Sequence, residues 1–328
     1  MAGNPDYAAL QSSTLRNARS VIVDNLTEQN ALLKLMRQKG GVRHDSGGTT
    51  IDEPLMYGDN DTVKAFAGYE VLNTQPQEGL TTAQFAWKQI AGSVSISGIE
   101  EFKNSGSKVK VFNLLKAKMD QLKISFSKSV NEQMFGDGTG TSGKEIGGLA
   151  LLVSDAAATV GGIDESASGN GWWANQRLDF DGTYTTFNTA SGSSIEGLDA
   201  FRGMWNDVIR NSDKPDLLIG ADTIHEAYEA YTEGDKYRTF NTNTADLGFD
   251  NVAFKGVPFV WDVDITDNRV YFLNFDYLKF VIGSGKDFIT TPFDRPYAQD
   301  ARLAHMLLYA NMTISNRARQ GVIFDVTF

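Results

Sequence analysis

From Ser105 to Phe135 the chain repeats an apolar residue every three or four positions: Val109, Phe112, Leu115, Met119, Leu122, Phe126, Val130 and Met134. That spacing draws one continuous stripe down an α-helix. At 1.5 Å per residue, about 29 residues make a rod of roughly 43 Å. The rod ends in Gly136-Asp-Gly-Thr-Gly-Thr-Ser-Gly-Lys144, and Gly147-Gly148 follows. A stiff spine with a one-sided apolar stripe must be packed along that side by other elements, and the chain must turn away sharply where the glycines begin. The glycine run reads as a hinge between two domains, with Gly136, Gly138, Gly140 and Gly143 as its candidate residues.

Either side of this spine the character changes. The first forty residues read as helical, most clearly from Asp24 to Lys39, where Asp24 can cap and Gly40-Gly41 stops the helix. Three stretches of β character come next, Thr49 to Tyr57, Val63 to Thr74 and Phe85 to Ser97. In the middle one Val63, Ala65, Ala67, Tyr69 and Val71 alternate with Lys64, Phe66, Gly68 and Glu70, the period of a strand. With no substantial apolar helix beside it, this region has trouble burying a core of its own; its partner is expected on another chain. After the glycines the order is mixed. Ser193 and Glu196 are placed as a capping box before a helix carrying Leu198, Phe201, Trp205 and Val208. A strand is expected at Asp216 to Gly220, a helix at Asp222 to Tyr231, and a long polar loop at Glu233 to Gly248. Strands are then expected at Val252 to Trp261, Val270 to Asn274, Tyr277 to Ile282 and Leu303 to Ile314.

Composition bounds the function. The 328 residues, 41% hydrophobic and 22% charged, can bury a sizeable core arranged in two or three compact regions. No stretch approaches the ~18 consecutive apolar residues of a membrane span, and the opening residues lack the two halves of a signal peptide, so a soluble protein without a membrane partner is expected. The absence of cysteine excludes disulfides, thiolate metal sites and cysteine nucleophiles. A net charge of −11 excludes tight, non-specific wrapping of DNA, which needs a basic footprint; nucleic-acid contact is restricted to local patches. One such patch exists. Lys103 to Lys128 holds seven lysines with Asp120 the only acid. At 100° per residue Lys103, Lys110, Lys118 and Lys128 fall opposite the apolar stripe, whereas Lys116 and Lys123 fall near its edge, where their stems can lie along apolar surface. A solvated helix face is the plain reading, and a basic strip that touches DNA or an acidic partner is the functional one.

Catalytic signatures fail on context. Gly138-x-Gly140-x-x-Gly143 matches the dinucleotide fingerprint in letters, but a helix precedes it where a strand is required. Gly138 to Lys144 also approaches a phosphate loop, yet Glu145 stands where the magnesium-binding hydroxyl belongs. His44, His225 and His305 lie far apart and form no metal-ligand pattern. Asp262, Asp264 and Asp267 lack the glycine and terminal glutamate of a calcium loop and read as an aspartate-rich turn. No catalytic residue, metal site or cofactor is expected.

The order of an N-terminal arm, β-rich extended loop, spine helix, glycine hinge, α/β domain and returning strand resembles the major capsid proteins of tailed bacteriophages, the Hong Kong phage-type fold. Met134-Phe-Gly-Asp-Gly-Thr-Gly140 with Gly147-Gly-Leu149 looks like the exit from their spine helix. Phe254 to Asp262 and Tyr271 to Lys279 resemble the strands of their axial domain, and Asn311 to Gly321 is similar to their C-terminal strand with its Arg-rich turn. The resemblance covers the chain from about residue 20 to its end and implies an α+β fold divided into an arm (1–48), an extended β-loop (49–97), a peripheral domain (98–140 and 299–328) and an axial domain (141–298). It implies a homo-oligomer of hexamers and pentamers closing an icosahedral shell around double-stranded DNA, a virion protein assembled in the bacterial cytoplasm. It also implies a portal and, since the spine is reached by residue 105, a separate scaffolding protein unless the chain is already processed. The loop would overlap a neighbouring subunit through Lys64, Phe66, Tyr69, Phe85 and Trp87. Lys64 lies where some relatives form a Lys–Asn cross-link, which is not expected here because no partner asparagine can be assigned. Alternatives from other classes are an encapsulin-like nanocompartment shell, a minor virion protein such as a tail or decoration component, and a β-rich carbohydrate-active enzyme.

Overall fold

The spine helix runs from Lys108 to Phe135 in a computed structural model that describes residues 30–72, 74–104, 108–191, 194–234, 252–265, 268–297 and 299–328, with the backbone alone at 101, 103–104, 108–116 and 232–234. Its 28 residues span about 42 Å. Met119, Phe126, Val130 and Met134 of the apolar stripe are buried, and Leu122 packs against them half-buried. Val109, Phe112 and Leu115 fall where only the backbone is described. Lys123 is buried at the stripe's edge with its Nζ 3.7 Å from Asp120.

Two larger sheets, among the described residues, carry most of the strands. The first is organised by one long strand, β16 (Ala301–Ile314). Along one edge it pairs antiparallel with β4 (Lys88–Ser97), from Ala301 opposite Ser97 to Ala310 opposite Lys88. Along the other it pairs with β14 (Leu278–Gly283) and β15 (Ile289–Thr290), and β1 (Val42–Asp45) joins β14 in parallel. The spine helix lies across β4, with Leu122 and Phe126 standing over Gly92. A short helix, Ala31–Gln38, leads into this sheet. Its cap is Asn30, whose side chain accepts from Leu33 N–H at 2.8 Å; the proposed cap Asp24 lies outside the described residues.

The second sheet has the order β11, β12, β10, β13, β17, β7: Val252–Phe254, Val257–Trp261, Leu217–Gly220, Val270–Leu273, Gly321–Phe324 and Gln176–Asp179. Strands β10, β11 and β13 are buried throughout, which accounts for their near-continuous apolar runs. The helices Glu196–Val208 and Asp222–Gly234 pack on this sheet. Phe201 is the aromatic hub, meeting Phe254, Phe259 and Phe272 edge to face, each at 5.7 Å. The chain's end crosses the expected domain division. Ala301–Ile314 pairs with β4, on which the spine lies, whereas Gly321–Phe324 is hydrogen-bonded between β13 and β7 of the second sheet.

Three expectations need correction. Residues 63–72 form no strand: their backbone closes turns, Val63 N–H to Asn60 O and Glu70 N–H to Ala67 O, because alternation without a partner strand leaves the backbone groups no ladder to pair in. Phe85 to Ser97 is not one strand but the end of β3 (Leu80–Ala86) followed by β4, broken at Trp87. The capping box is also displaced. The helix begins at Glu196 with Ile195 as its N-cap, and Glu196 instead accepts from the N–H groups of Thr185 and Thr186; Ser193 lies outside the described residues.

Candidate assembly interface

β2 (Thr50–Met56) and β3 form a hairpin in which alternation is strict: Ile51, Glu53 and Leu55 with Ala83 and Phe85 face inward, buried, while Asp52, Pro54, Met56, Thr82, Gln84 and Ala86 face out. At its neck the Tyr57 N–H donates to Gly79 O at 2.9 Å. Beyond the neck the apolar side chains stand in solvent. Val63 is 83% exposed, Phe66 60%, Val71 91% and Tyr69 completely. Scattered exposed apolar residues are ordinary, but a cluster of them on one segment marks a contact surface. The segment is also acidic, with Asp59, Asp61, Glu70 and Glu78 against Lys64 alone.

Of the five residues expected to reach a neighbouring subunit, Lys64, Phe66 and Tyr69 lie on this exposed segment. Phe85 and Trp87 do not. Phe85 is buried on the inward face of the hairpin and Trp87 packs half-buried against the same core, because the β2–β3 register aligns Phe85 with Ile51. The stem therefore shares this chain's core, and only the segment beyond the neck is without one.

The stem is held by polar contacts that sequence reasoning missed. Glu53 is buried; its carboxylate pairs with the Arg43 guanidinium of β1 at 2.8 Å, accepting one hydrogen bond from it at 3.2 Å, and accepts from Thr313 Oγ1 of β16 at 2.9 Å. The available signal was a charged residue on the apolar register of an alternating strand, Ile51-x-Glu53-x-Leu55. Towards residues 161–172, Gln84 N–H donates to Gly161 O at 2.9 Å and Tyr57 stacks on Trp172 at 5.1 Å.

The basic strip divides. Lys118 Nζ donates to Ser95 O (2.9 Å) and to Glu100 (2.8 Å), so it ties the spine to β4 and to the short helix Gly98–Asn104. The hydrogen bond from Lys118, and then that from the Ser97 N–H, holds the Glu100 carboxyl below its ordinary pKa. Lys128 is exposed, 3.5 Å from Glu132 one turn on. The side chains of Lys103 and Lys110 lie outside the described residues.

The glycine run is a packed turn. Gly138 has φ +73°, and a Cβ there would stand 2.9 Å from the Gly147 Cα. Ile146 N–H donates to Gln133 Oε1 at 3.2 Å, and Gly147 N–H to Asn311 Oδ1 at 3.0 Å. Asn311 also donates to Ala86 O at 2.7 Å, so one side chain of β16 joins the spine exit to the loop stem. Lys88 Nζ donates to Gly143 O. Just beyond, Arg317 has no exposed surface. Its guanidinium donates to Leu152 O (2.9 Å), Trp173 O (3.1 Å), Glu165 (3.0 Å), Ser154 Oγ (2.9 Å) and Asn175 Oδ1 (2.8 Å), one bond for each of its five N–H groups. Burial pushes its pKa down and Glu165 pulls it back up.

The residues weighed for chemistry are apart. His225 is buried against Phe259, His305 lies beside Ser93 on the first sheet at 2.9 Å, and His44 is on β1. Asp262 and Asp264 receive the two amide hydrogens of Asn131 from the spine, at 3.0 and 2.6 Å, and desolvation pushes the Asp262 carboxyl above its usual range. They join the spine to the turn after β12 of the second sheet; Asp267 lies outside the described residues. Among the described residues no group of three or more His, Asp or Glu is arranged to hold a metal ion, and no helix is long and apolar enough to cross a membrane.

No protein-family model and no curated relative matches the sequence. Solved structures do match over nearly the whole chain. The capsid protein of cyanophage A-1(L) superposes with a TM-score of 0.67 at 15% identity, covering 90% of this chain and 92% of its own. That of Myoviridae phage XM1 gives 0.55 at 13% identity, over 89% and 92%. The SrpI encapsulin of Synechococcus elongatus gives 0.50 at 10% identity, over 87% and 85%. The α+β architecture expected from the order of elements is therefore present: the chain has the fold of tailed-phage capsid proteins. An encapsulin shell protein is built on the same plan.

Proposed function

We propose that this chain is the major capsid protein of a tailed bacteriophage, a structural subunit that self-assembles into an icosahedral shell around double-stranded DNA. The observation that carries the reading is the exposed segment beyond Gly58 and Gly79, which presents Val63, Phe66, Tyr69 and Val71 to solvent on a capsid-protein fold. Burying a large apolar side chain is worth about 1.5–3 kcal/mol, so these four residues on each subunit, repeated around every ring, supply a strong drive to associate. The mechanism is assembly through quasi-equivalent contacts: axial domains meet around each ring as hexamers and pentamers, and the loop crosses onto a neighbour. Maturation turns the spine against the axial domain about the glycine turn Gly136, Gly138, Gly140 and Gly143.

The partners are other copies of the chain, a separate scaffolding protein, a portal and packaged DNA, with assembly in the bacterial cytoplasm. DNA contact falls to Lys103, Lys110 and Lys128, since Lys118 is engaged within the chain. The test is negative-stain microscopy of the purified chain, alone and with its scaffold. Closed polyhedral shells or regular rings support the reading, and a uniformly monomeric chain under both conditions overturns it. An encapsulin-like shell is the second reading, favoured by the structural likeness to the SrpI shell protein. Nuclease-protected DNA inside purified particles decides for the phage shell; an enclosed protein cargo decides for the nanocompartment.

A further inference from the structure

The stem of the extended loop carries one buried charge, and it is not where stability calls for one. Glu53 lies on the inward face of the hairpin between Ile51 and Leu55 and opposite Ala83, with Phe85 on the same face. An apolar residue there would continue the core without desolvating a carboxylate. What the carboxylate adds is direction. Its ion pair and hydrogen bond with Arg43 on β1 and its hydrogen bond from Thr313 on β16 tie it to two strands on opposite sides of β14 in the first sheet. Apolar packing tolerates sliding and rotation, whereas a carboxylate held from two strands has one position. On its other side the stem is not packed solid. An open cleft of about 620 Å³ lies between the neck (Tyr57, Leu80, Thr81) and the axial segment carrying Ile163, Asn170 and Trp172. The stem meets that segment through the Tyr57–Trp172 stack and the close approach of Gly161, whose φ is +60° and where a Cβ would stand 2.7 Å from that of Ala83.

We propose that Glu53 is a positioning residue for assembly: with Arg43 and Thr313 it locks the angle at which the extended loop leaves the chain, aiming the apolar segment before it meets a second copy. The consequence for the shell rests on the capsid reading above. Subunits with unlocked stems offer their loops over a range of angles, so they close into particles of mixed curvature.

The chain has no cysteine, so paired labels are introduced cleanly at Ala67→Cys on the exposed segment and Thr183→Cys on the axial domain. Spin-label distances are then measured on the dilute, unassembled full chain. The parent is expected to give one narrow distance. Glu53→Leu, which suits the apolar face, is expected to lose it for a broad distribution, while Glu53→Gln, which keeps an acceptor for Thr313 and Arg43, retains it. Should Glu53→Leu not fold, as judged by circular dichroism, Arg43→Gln at the half-exposed partner replaces it and is expected to broaden the distance likewise. A distribution as narrow as the parent's in Glu53→Leu, or in Arg43→Gln where that variant replaces it, overturns the lock. Particle diameters from the same variants test the consequence separately. A parent that never forms shells defeats the capsid reading and leaves the distance result to decide the lock, whereas uniform shells from a broadened variant defeat the link from lock to curvature.

Discussion

Replacing Arg317 with methionine removes all five guanidinium donors while keeping most of the side-chain volume. Two buried main-chain carbonyls, Leu152 O and Trp173 O, lose a donor, as do Ser154 Oγ and Asn175 Oδ1. Glu165 keeps its second partner, Arg177, so the carboxylate is not stranded. Removing one partner of a buried charge network costs about 3–5 kcal/mol, and each orphaned buried acceptor costs about 1–3 kcal/mol, which places Arg317→Met at the upper end of the first range. With about 2–4 °C of melting temperature per kcal/mol in a large domain, the unassembled chain should melt roughly 10–20 °C lower. Arg317→Lys, with three donors and no planar fork, should fall between. The assay is thermal and urea denaturation of the unassembled chain, with hydrogen exchange followed at residues 146–153 and 173–176, where protection should fall first. A loss under about 1 kcal/mol for the methionine variant would refute the argument that Arg317 fastens the turn after β16 to the segments around Leu152, Glu165 and Trp173.

Other expectations follow from the same geometry. Phe66→Ser with Tyr69→Ser should leave the melting of the unassembled chain within about 0.5 kcal/mol yet abolish shells in electron micrographs; undiminished shell yield would remove the exposed segment from the interface. Gly138→Ala should cost about 1–2 kcal/mol, the penalty of a left-handed backbone, in urea midpoints. Gly140→Ala should cost less because only the flexible end of Glu145 stands in the way, and both should slow shell expansion more than initial closure. The Lys118–Glu100 tie has a defined pH sign. Since the Glu100 pKa is lowered from 4.5, its contribution is complete above that value and is lost as pH falls through the folded pKa; hydrogen exchange in Gly98–Asn104 should rise below that pH, and Lys118→Gln should abolish the dependence.

Much of the fold was legible in the sequence because its signals are local. The stripe from Val109 to Met134 makes a helix whatever surrounds it, the glycines after Phe135 end it, and runs such as Leu217 to Gly220 or Val270 to Leu273 have a sheet interior as their natural place. What failed was pairing. The alternation from Val63 to Val71 has the period of a strand, but a strand exists only through hydrogen bonds to another, and periodicity does not say whether a partner lies within reach. The inward turn of Phe85 was not legible for the same reason, since the β2–β3 register decides which face turns to the core.

The site divides along the same line. From the amino-acid order alone come the spine, the glycine turn, the β-rich loop before the spine and the absence of a catalytic pattern, each set by neighbours a few residues apart. Tertiary structure alone decided that Lys118 faces Glu100 and Ser95, that Glu53 meets Arg43 and Thr313, and that Arg317 gathers Leu152, Glu165, Trp173 and Asn175. These contacts join residues up to 260 positions apart. Charged side chains can satisfy their hydrogen bonds with many partners, so their choice is fixed only after apolar burial has brought the strands together.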